Sequence, residues 1–103
     1  MIAGVVGLGL IGGSLAGAYK RAGDTVYGID TDRLTQDFAV MAGSIDGILT
    51  DDRLKLCEVV FIAITPQRAL RWLTVNSQKI GRETIVIDCC GIKRRICEVG
   101  EKL

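Results

Sequence analysis

Near its start the chain reads Val5-Val6-Gly7-Leu8-Gly9-Leu10-Ile11-Gly12-Gly13-Ser14, and an acidic residue follows in Gly28-Ile29-Asp30. Residues of these types at this spacing could hold a phosphorylated ligand. Gly7 permits a tight turn out of a strand, Gly9 lets backbone approach a pyrophosphate with no Cβ in the way, and Gly12 lets a helix pack closely on that strand. Backbone N–H groups at the helix start, backed by the helix dipole, would face the phosphates. Gly7, Leu8, Gly9, Leu10, Ile11 and Gly12 are therefore the candidate pyrophosphate loop. Asp30 falls near the ~20-residue spacing at which an acid meets an adenosine ribose. Its carboxylate would accept both ribose hydroxyls and disfavour a 2′-phosphate, which points to NAD over NADP; Arg33 lies close enough to keep NADP in play. Glycine triplets are common, so the motif alone is weak evidence. Its weight comes from a strand before it, a helix after it and an acid at the right distance. The plain alternative for Asp30 is a turn residue closing a strand.

The second informative feature is an absence, since the chain contains no histidine. Histidine is the commonest general base in dehydrogenase chemistry, and no other residue present is a credible substitute. No catalytic residue is assigned. Cys57, Cys89, Cys90 and Cys97 show no C-x-x-C spacing and lack histidine partners, so no metal site is expected. Buried small hydrophobes in a reducing compartment account for them better.

At 103 residues the chain is one domain at most. Thirteen basic and 12 acidic residues give a formal charge of +1, which argues against nucleic acid or an anionic membrane as a general partner. The first residues enter an apolar strand at once, with no basic region or cleavage site of a signal peptide. A cytoplasmic location is expected.

Apolar periodicity supplies the elements that must position these residues. Residues 2–6 form a continuous apolar run, the pattern of a strand buried on both faces. A helix over residues 12–22 follows, ending in Lys20-Arg21-Ala22-Gly23, with cations at its negative end and glycine past it. Residues 25–30 form a second strand. A second helix spans residues 32–42, with Leu34, Phe38 and Met41 at i, i+4 and i+7 and Gly43 as its stop. A short strand near residues 45–48 and a helical turn over 51–56 lead to the strongest strand signal, residues 59–64, which Thr65-Pro66 ends. A helix over residues 67–78 offers Leu70, Leu73 and Ile80 to a sheet, residues 84–88 form another strand, and residues 92–103 carry one more apolar helical face.

This βαβ alternation implies an α/β domain of the Rossmann type, a doubly wound parallel sheet in the order 3-2-1-4-5. Its ligand edge lies beyond the carboxyl ends of the strands, at the switch between the first and fourth. Thr65-Pro66 sits at that edge. It is either a strand-to-helix corner and no more, or part of the nicotinamide side of a dinucleotide site. Lys93-Arg94-Arg95 opposes the dipole of the last helix and reads best as a solvated face.

The run from Val6 to Ala16 resembles the N-terminal signature of prephenate and arogenate dehydrogenases, the NAD(P)-dependent enzymes of tyrosine biosynthesis. Val60-Phe61-Ile62-Ala63-Ile64-Thr65-Pro66 resembles that family's strand ending in a Thr-Pro corner. Ile87-Asp88-Cys89-Cys90-Gly91-Ile92-Lys93 resembles its Asp-x-Gly-Ser-Val-Lys segment, with a departure: Gly91 stands where many members have serine, and Cys90 where they have glycine. The three blocks run in family order from one end of the chain to the other.

The resemblance implies oxidative decarboxylation, in which hydride passes from substrate to NAD while a carboxylate leaves as carbon dioxide and the ring becomes aromatic. It places Thr65, Pro66 and Gly91 on the nicotinamide side. It also implies a His-Pro motif and a substrate-binding arginine beyond Leu103, in a helical domain that this chain lacks, so the chain looks like the cofactor half of such an enzyme. The alternatives are the cofactor domain of another β-hydroxyacid-type dehydrogenase and a stand-alone NAD-binding or sensing module. Two outcomes are expected of the isolated chain. It should turn over no prephenate in a spectrophotometric NADH assay. It should also associate as a homodimer or larger species through an uncovered sheet edge, seen as a mass above that of the monomer in light scattering.

Overall fold

The computed structural model describes residues 1–89. Five strands form one parallel sheet in the order β3-β2-β1-β4-β5, comprising β1 (Ile2–Val6), β2 (Thr25–Ile29), β3 (Gly47–Ile48), β4 (Val59–Ile62) and β5 (Ile85–Asp88). The helices are α1 (Leu10–Arg21), α2 (Arg33–Met41), α3 (Asp51–Leu54) and α4 (Pro66–Asn76). A 3₁₀ turn over Ser77–Lys79 follows α4. The expected Rossmann-type order is the one observed. β1 is central, pairing with β2 through Val6 and Ile29 and with β4 through Val6 and Ile62, so its carboxyl end faces a loop from either side.

Successive side chains of a strand point to opposite faces of the sheet, and the core divides accordingly. Ala3 and Val5 of β1 join Val59 and Phe61 of β4 on one side, against Ala16 of α1 and Ala39 of α2. Val6, Val60 and Ile62 face the other way, against Leu54, Ala69 and Leu73. Both faces of the sheet are thus covered, which is why β1 and β4 read as unbroken apolar runs. Tyr19 packs its ring against Phe61 with centroids 5.2 Å apart.

Polar contacts close the ends. Asp46 accepts from Lys20 at 2.8 Å and from the Val26 N–H at 2.7 Å, joining the last turn of α1 to the β2–β3 edge. The Lys20 ammonium, then the Val26 N–H, hold the Asp46 carboxyl below the usual carboxylate range. This tie contributes fully above the usual carboxylate range and is lost as pH falls from that range through the lowered folded-state value.

Three sequence expectations are corrected. α1 begins at Leu10 rather than residue 12, because the Gly9 carbonyl already accepts the Gly13 N–H at 2.7 Å. β4 stops at Ile62, two residues before the apolar run does. The stripe Leu34, Phe38 and Met41 faces solvent, with exposures of 80, 71 and 86%. α2 lies over the edge that ends in the two-residue β3, and its small Ala39 is the residue that meets the sheet. On α4 the buried pair is Ala69 and Leu73, with Ile80 partly buried behind them and Leu70 half-exposed. The expectations for Cys90, Gly91, Lys93-Arg94-Arg95 and the helix over residues 92–103 lie outside the described residues.

A matched pair of substitutions tests this inside-outside assignment. Leu73→Ala is expected to cost about 2–5 kcal/mol in urea unfolding, the range for emptying a buried leucine site. Phe38→Ser should stay within about 0.5 kcal/mol of the parent, as for other surface changes.

Candidate functional site

The cleft at the carboxyl edge is built from the first β–α turn. β1 ends at Val6, and Gly7 turns the chain with φ +94°, a conformation an L side chain rarely adopts. A Cβ there would also lie 2.5 Å from the Ala63 carbonyl oxygen. The Gly7 N–H donates to the Ile29 carbonyl at 2.8 Å, fastening the turn to the end of β2. Gly12 passes directly beneath, where a Cβ would fall on the Gly7 carbonyl oxygen. Turn and helix can approach this closely because both positions are glycine.

Leu8 turns its side chain into the core and is 5% exposed. It rests on Gly28, where a Cβ would come within 2.9 Å of a Leu8 methyl. With the side chain inside, the Leu8 N–H points across to Asp30 and donates to Oδ2 at 2.7 Å. The other oxygen, Oδ1, accepts the Asp32 N–H at 2.8 Å, and the Asp30 N–H donates to Gln36 Oε1 at 3.0 Å. Asp30 is therefore held in one orientation at the end of β2. Each carboxylate oxygen keeps a second lone pair for a ligand hydroxyl.

α1 opens without a side-chain cap: Gly9 is its N-cap, and its first turn holds no acidic residue. The first N–H groups of a helix have no intrahelical partners, so this end suits an anion. The space above Gly9 is open, with no atom within 4 Å of where a Cβ would be. On the opposite wall Thr65 and Pro66 start α4 as its N-cap and first residue. Proline is preorganised for that first position and lacks the N–H that would be left over there.

These walls enclose a cleft of about 840 Å³ that brings together Gly7, Gly9, Asp30, Thr65 and Pro66. Other sequence candidates lie elsewhere. Leu8 is in the core and Gly12 is buried under the turn, while Leu10 and Ile11 are exposed at the start of α1. Gly91 lies outside the described residues. The cleft also includes residues that sequence reasoning missed, among them Thr31, Gln36, Ile48, Arg68 and Trp72. Arg68 and Trp72 sit one helical turn apart on α4. That spacing was visible in the sequence, but not which face of α4 meets the cleft. Cys57 takes no part; it is buried against α3, and burial pushes its thiol up to about 11.

Residues 15–103 match the family model described as prephenate dehydrogenase, nucleotide-binding domain. The match begins after Ser14, so the glycine-rich turn stands on its own geometry. Arogenate dehydrogenase from Synechocystis is 31% identical over 99% of this chain and 37% of that one, with a TM-score of 0.89. Prephenate dehydrogenase from Aquifex aeolicus, solved with hydroxyphenyl propionate and NAD+, is 22% identical over 99% of this chain and 37% of that one, with a TM-score of 0.84. 3-Hydroxyisobutyrate dehydrogenase from Mycobacterium tuberculosis is 20% identical over 98% and 36% of the two chains, with a TM-score of 0.87. The last two likenesses carry the fold alone. No curated protein sequence matches the chain. The chain spans a little over a third of the length of these solved structures.

The three glycines of the turn are expected to differ under substitution by alanine. Gly12→Ala should cost about 3 kcal/mol or more in urea unfolding, because backbone must move to relieve the clash. Gly9→Ala, with open space above it, should cost about 1 kcal/mol or less. Gly7→Ala should resemble Gly12→Ala, through its positive φ and the Ala63 carbonyl.

Proposed function

Because the chain belongs to the prephenate dehydrogenase nucleotide-binding domain family, we propose that its cleft binds NAD for a parent enzyme that oxidatively decarboxylates prephenate or arogenate in tyrosine biosynthesis. The observation that carries this is the convergence of an uncapped helix start and an oriented carboxylate on one cleft beside the central strand. The residues fit the cofactor: Gly9 leaves open the space that a pyrophosphate would need. NAD supplies the hydride acceptor when bound.

In this reading the turn from Gly7 to Gly12 cradles the pyrophosphate through backbone N–H groups at the start of α1. Leu10 and Ile11 are assigned to the pyrophosphate through main-chain N–H groups of the first turn of α1, and Leu8 supports the loop by giving its N–H to Asp30. Asp30 accepts the adenosine ribose hydroxyls on the lone pairs that the Leu8 and Asp32 N–H groups leave over. The fixed negative charge at that point favours NAD over NADP. Thr65 and Pro66 border the nicotinamide side, and Gly91 is assigned there with them.

The chain's own residues bind and orient; none is proposed to move the substrate proton. It has no histidine, and the thiol of Cys57, raised to about 11 by burial, stays protonated at neutral pH. The base and the group that holds the substrate carboxylate are proposed to lie in the part of the relatives' length that this chain does not span.

Isothermal titration with NAD tests the reading. The parent chain should bind, and Asp30→Asn should bind about tenfold more weakly or worse, the loss of one charge-assisted contact. An Asp30→Asn chain with unchanged NAD affinity would remove Asp30 from the site.

A further inference from the structure

A helix lying on a sheet ordinarily turns its large apolar residues inward, and α2 does the reverse. Leu34, Phe38 and Met41 share its outer face, 80, 71 and 86% exposed, while Ala39 is the helix's one buried residue. We propose that this stripe is the contact face for a second copy of the chain, paired antiparallel about a twofold axis that passes beside Phe38.

The stripe is complementary to itself. Leu34 stands four residues before Phe38 and Met41 three after it. An antiparallel copy therefore sets each Leu34 against the other copy's Met41 and the two Phe38 rings against each other, as a closed twofold contact requires. Steps of four and three are also the seam along which helices pack side by side. Arg33 and Asp37, one of each sign, flank the stripe on one side, so the pairing brings no net charge against itself. The area fits a second copy as well. Three side chains of this size and exposure offer roughly 450 Å² on each copy, within the ~300–600 Å² of the largest apolar patch on a typical single chain. Two such faces with their polar rim bury about 1,000 Å² in all, the lower limit of a specific interface and the size of a reversible one.

The geometry leaves the cleft free. Gln36, the α2 residue that lines the cleft, is two residues from Phe38 and so about 200° around the helix from it. The pairing therefore does not depend on what the cleft holds. α2 lies over the β3 edge of the sheet, whereas the described residues end at Cys89, just past β5 on the opposite edge. Four strand spacings, about 19 Å, separate these edges. The stripe is thus remote from the point at which the chain continues.

Analytical ultracentrifugation of the full chain over roughly 1–200 µM tests the proposal, and the mass should rise from that of one chain toward that of two and no further. Phe38→Ser should weaken the association about tenfold or more, with an unchanged fold by circular dichroism. Ile85→Ser, at a residue 62% exposed on the outer strand β5, should leave it unchanged. Leu34→Lys and Met41→Glu should each abolish association, and an equimolar mixture of the two variants at low salt should associate again, because the twofold sets the introduced charges opposite one another. A parent chain that stays single at the highest concentration overturns the proposal. Association that survives Phe38→Ser and is lost in Ile85→Ser moves the contact to the sheet edge and overturns it too. Growth beyond two chains, or a mixture that associates no better than either variant alone, excludes the twofold pairing.

Discussion

Two backbone N–H groups, from Leu8 and Asp32, converge on the carboxylate of Asp30, and the shape of the cleft depends on that convergence. The first draws the glycine-rich turn toward the end of β2, and the second fixes the chain as it enters α2. A carboxylate receiving such bonds is held more strongly than a neutral acceptor would be. Beside it, the Gly7 N–H bonded to the Ile29 carbonyl continues the β1–β2 pairing one step past the strands. Turn, strand end and helix start therefore share one frame, set by short bonds among main-chain groups and a single side chain.

That frame needs close packing beneath it, which small residues provide. Gly12 lies under the Gly7 carbonyl, and Ala16 continues the same face of α1 into the core. Gly28 makes room for Leu8, so the side chain in the middle of the loop is buried while its N–H stays turned toward Asp30. The glycine before Ile29-Asp30 is thus part of the loop's support from the neighbouring strand. A larger residue there would press on Leu8 and, through it, shift the N–H that orients the carboxylate.

The opposite wall is made differently. Pro66 starts α4 immediately after the corner at Thr65, which aims the helix so that Arg68 and Trp72 face the cleft while Ala69 and Leu73 face the sheet. One helix therefore serves both the core and the candidate site, through two faces about a third of a turn apart. α2 shows the opposite economy: its small Ala39 meets the sheet, and its large apolar residues remain outside. In two similar solved structures the matching region is a little over a third of the chain, and the proposed parent reaction assigns the proton-moving groups to the remainder.

Strand order, the glycine turn, the acid after β2 and the Thr-Pro corner were legible in the sequence by itself, because each rests on local rules. Unbroken apolar runs mark strands buried on both faces, glycine marks backbone that side chains would obstruct, and proline marks a helix start. The match of residues 15–103 to the family model agrees with the resemblance seen in the later segments, around Thr65-Pro66 and Asp88, and the glycine turn precedes it. What only the tertiary structure decided was orientation. Periodicity in α2 showed an apolar stripe at Leu34, Phe38 and Met41 but not that the narrow β3 edge would seat Ala39 in its place. The loop motif named Leu8 without showing that Gly28 would draw its side chain inside, and no local pattern joined Arg68 to Thr31, 37 residues earlier in the chain. Spacing along a chain reports which residues share a face; where that face points depends on contacts between segments that the spacing does not encode.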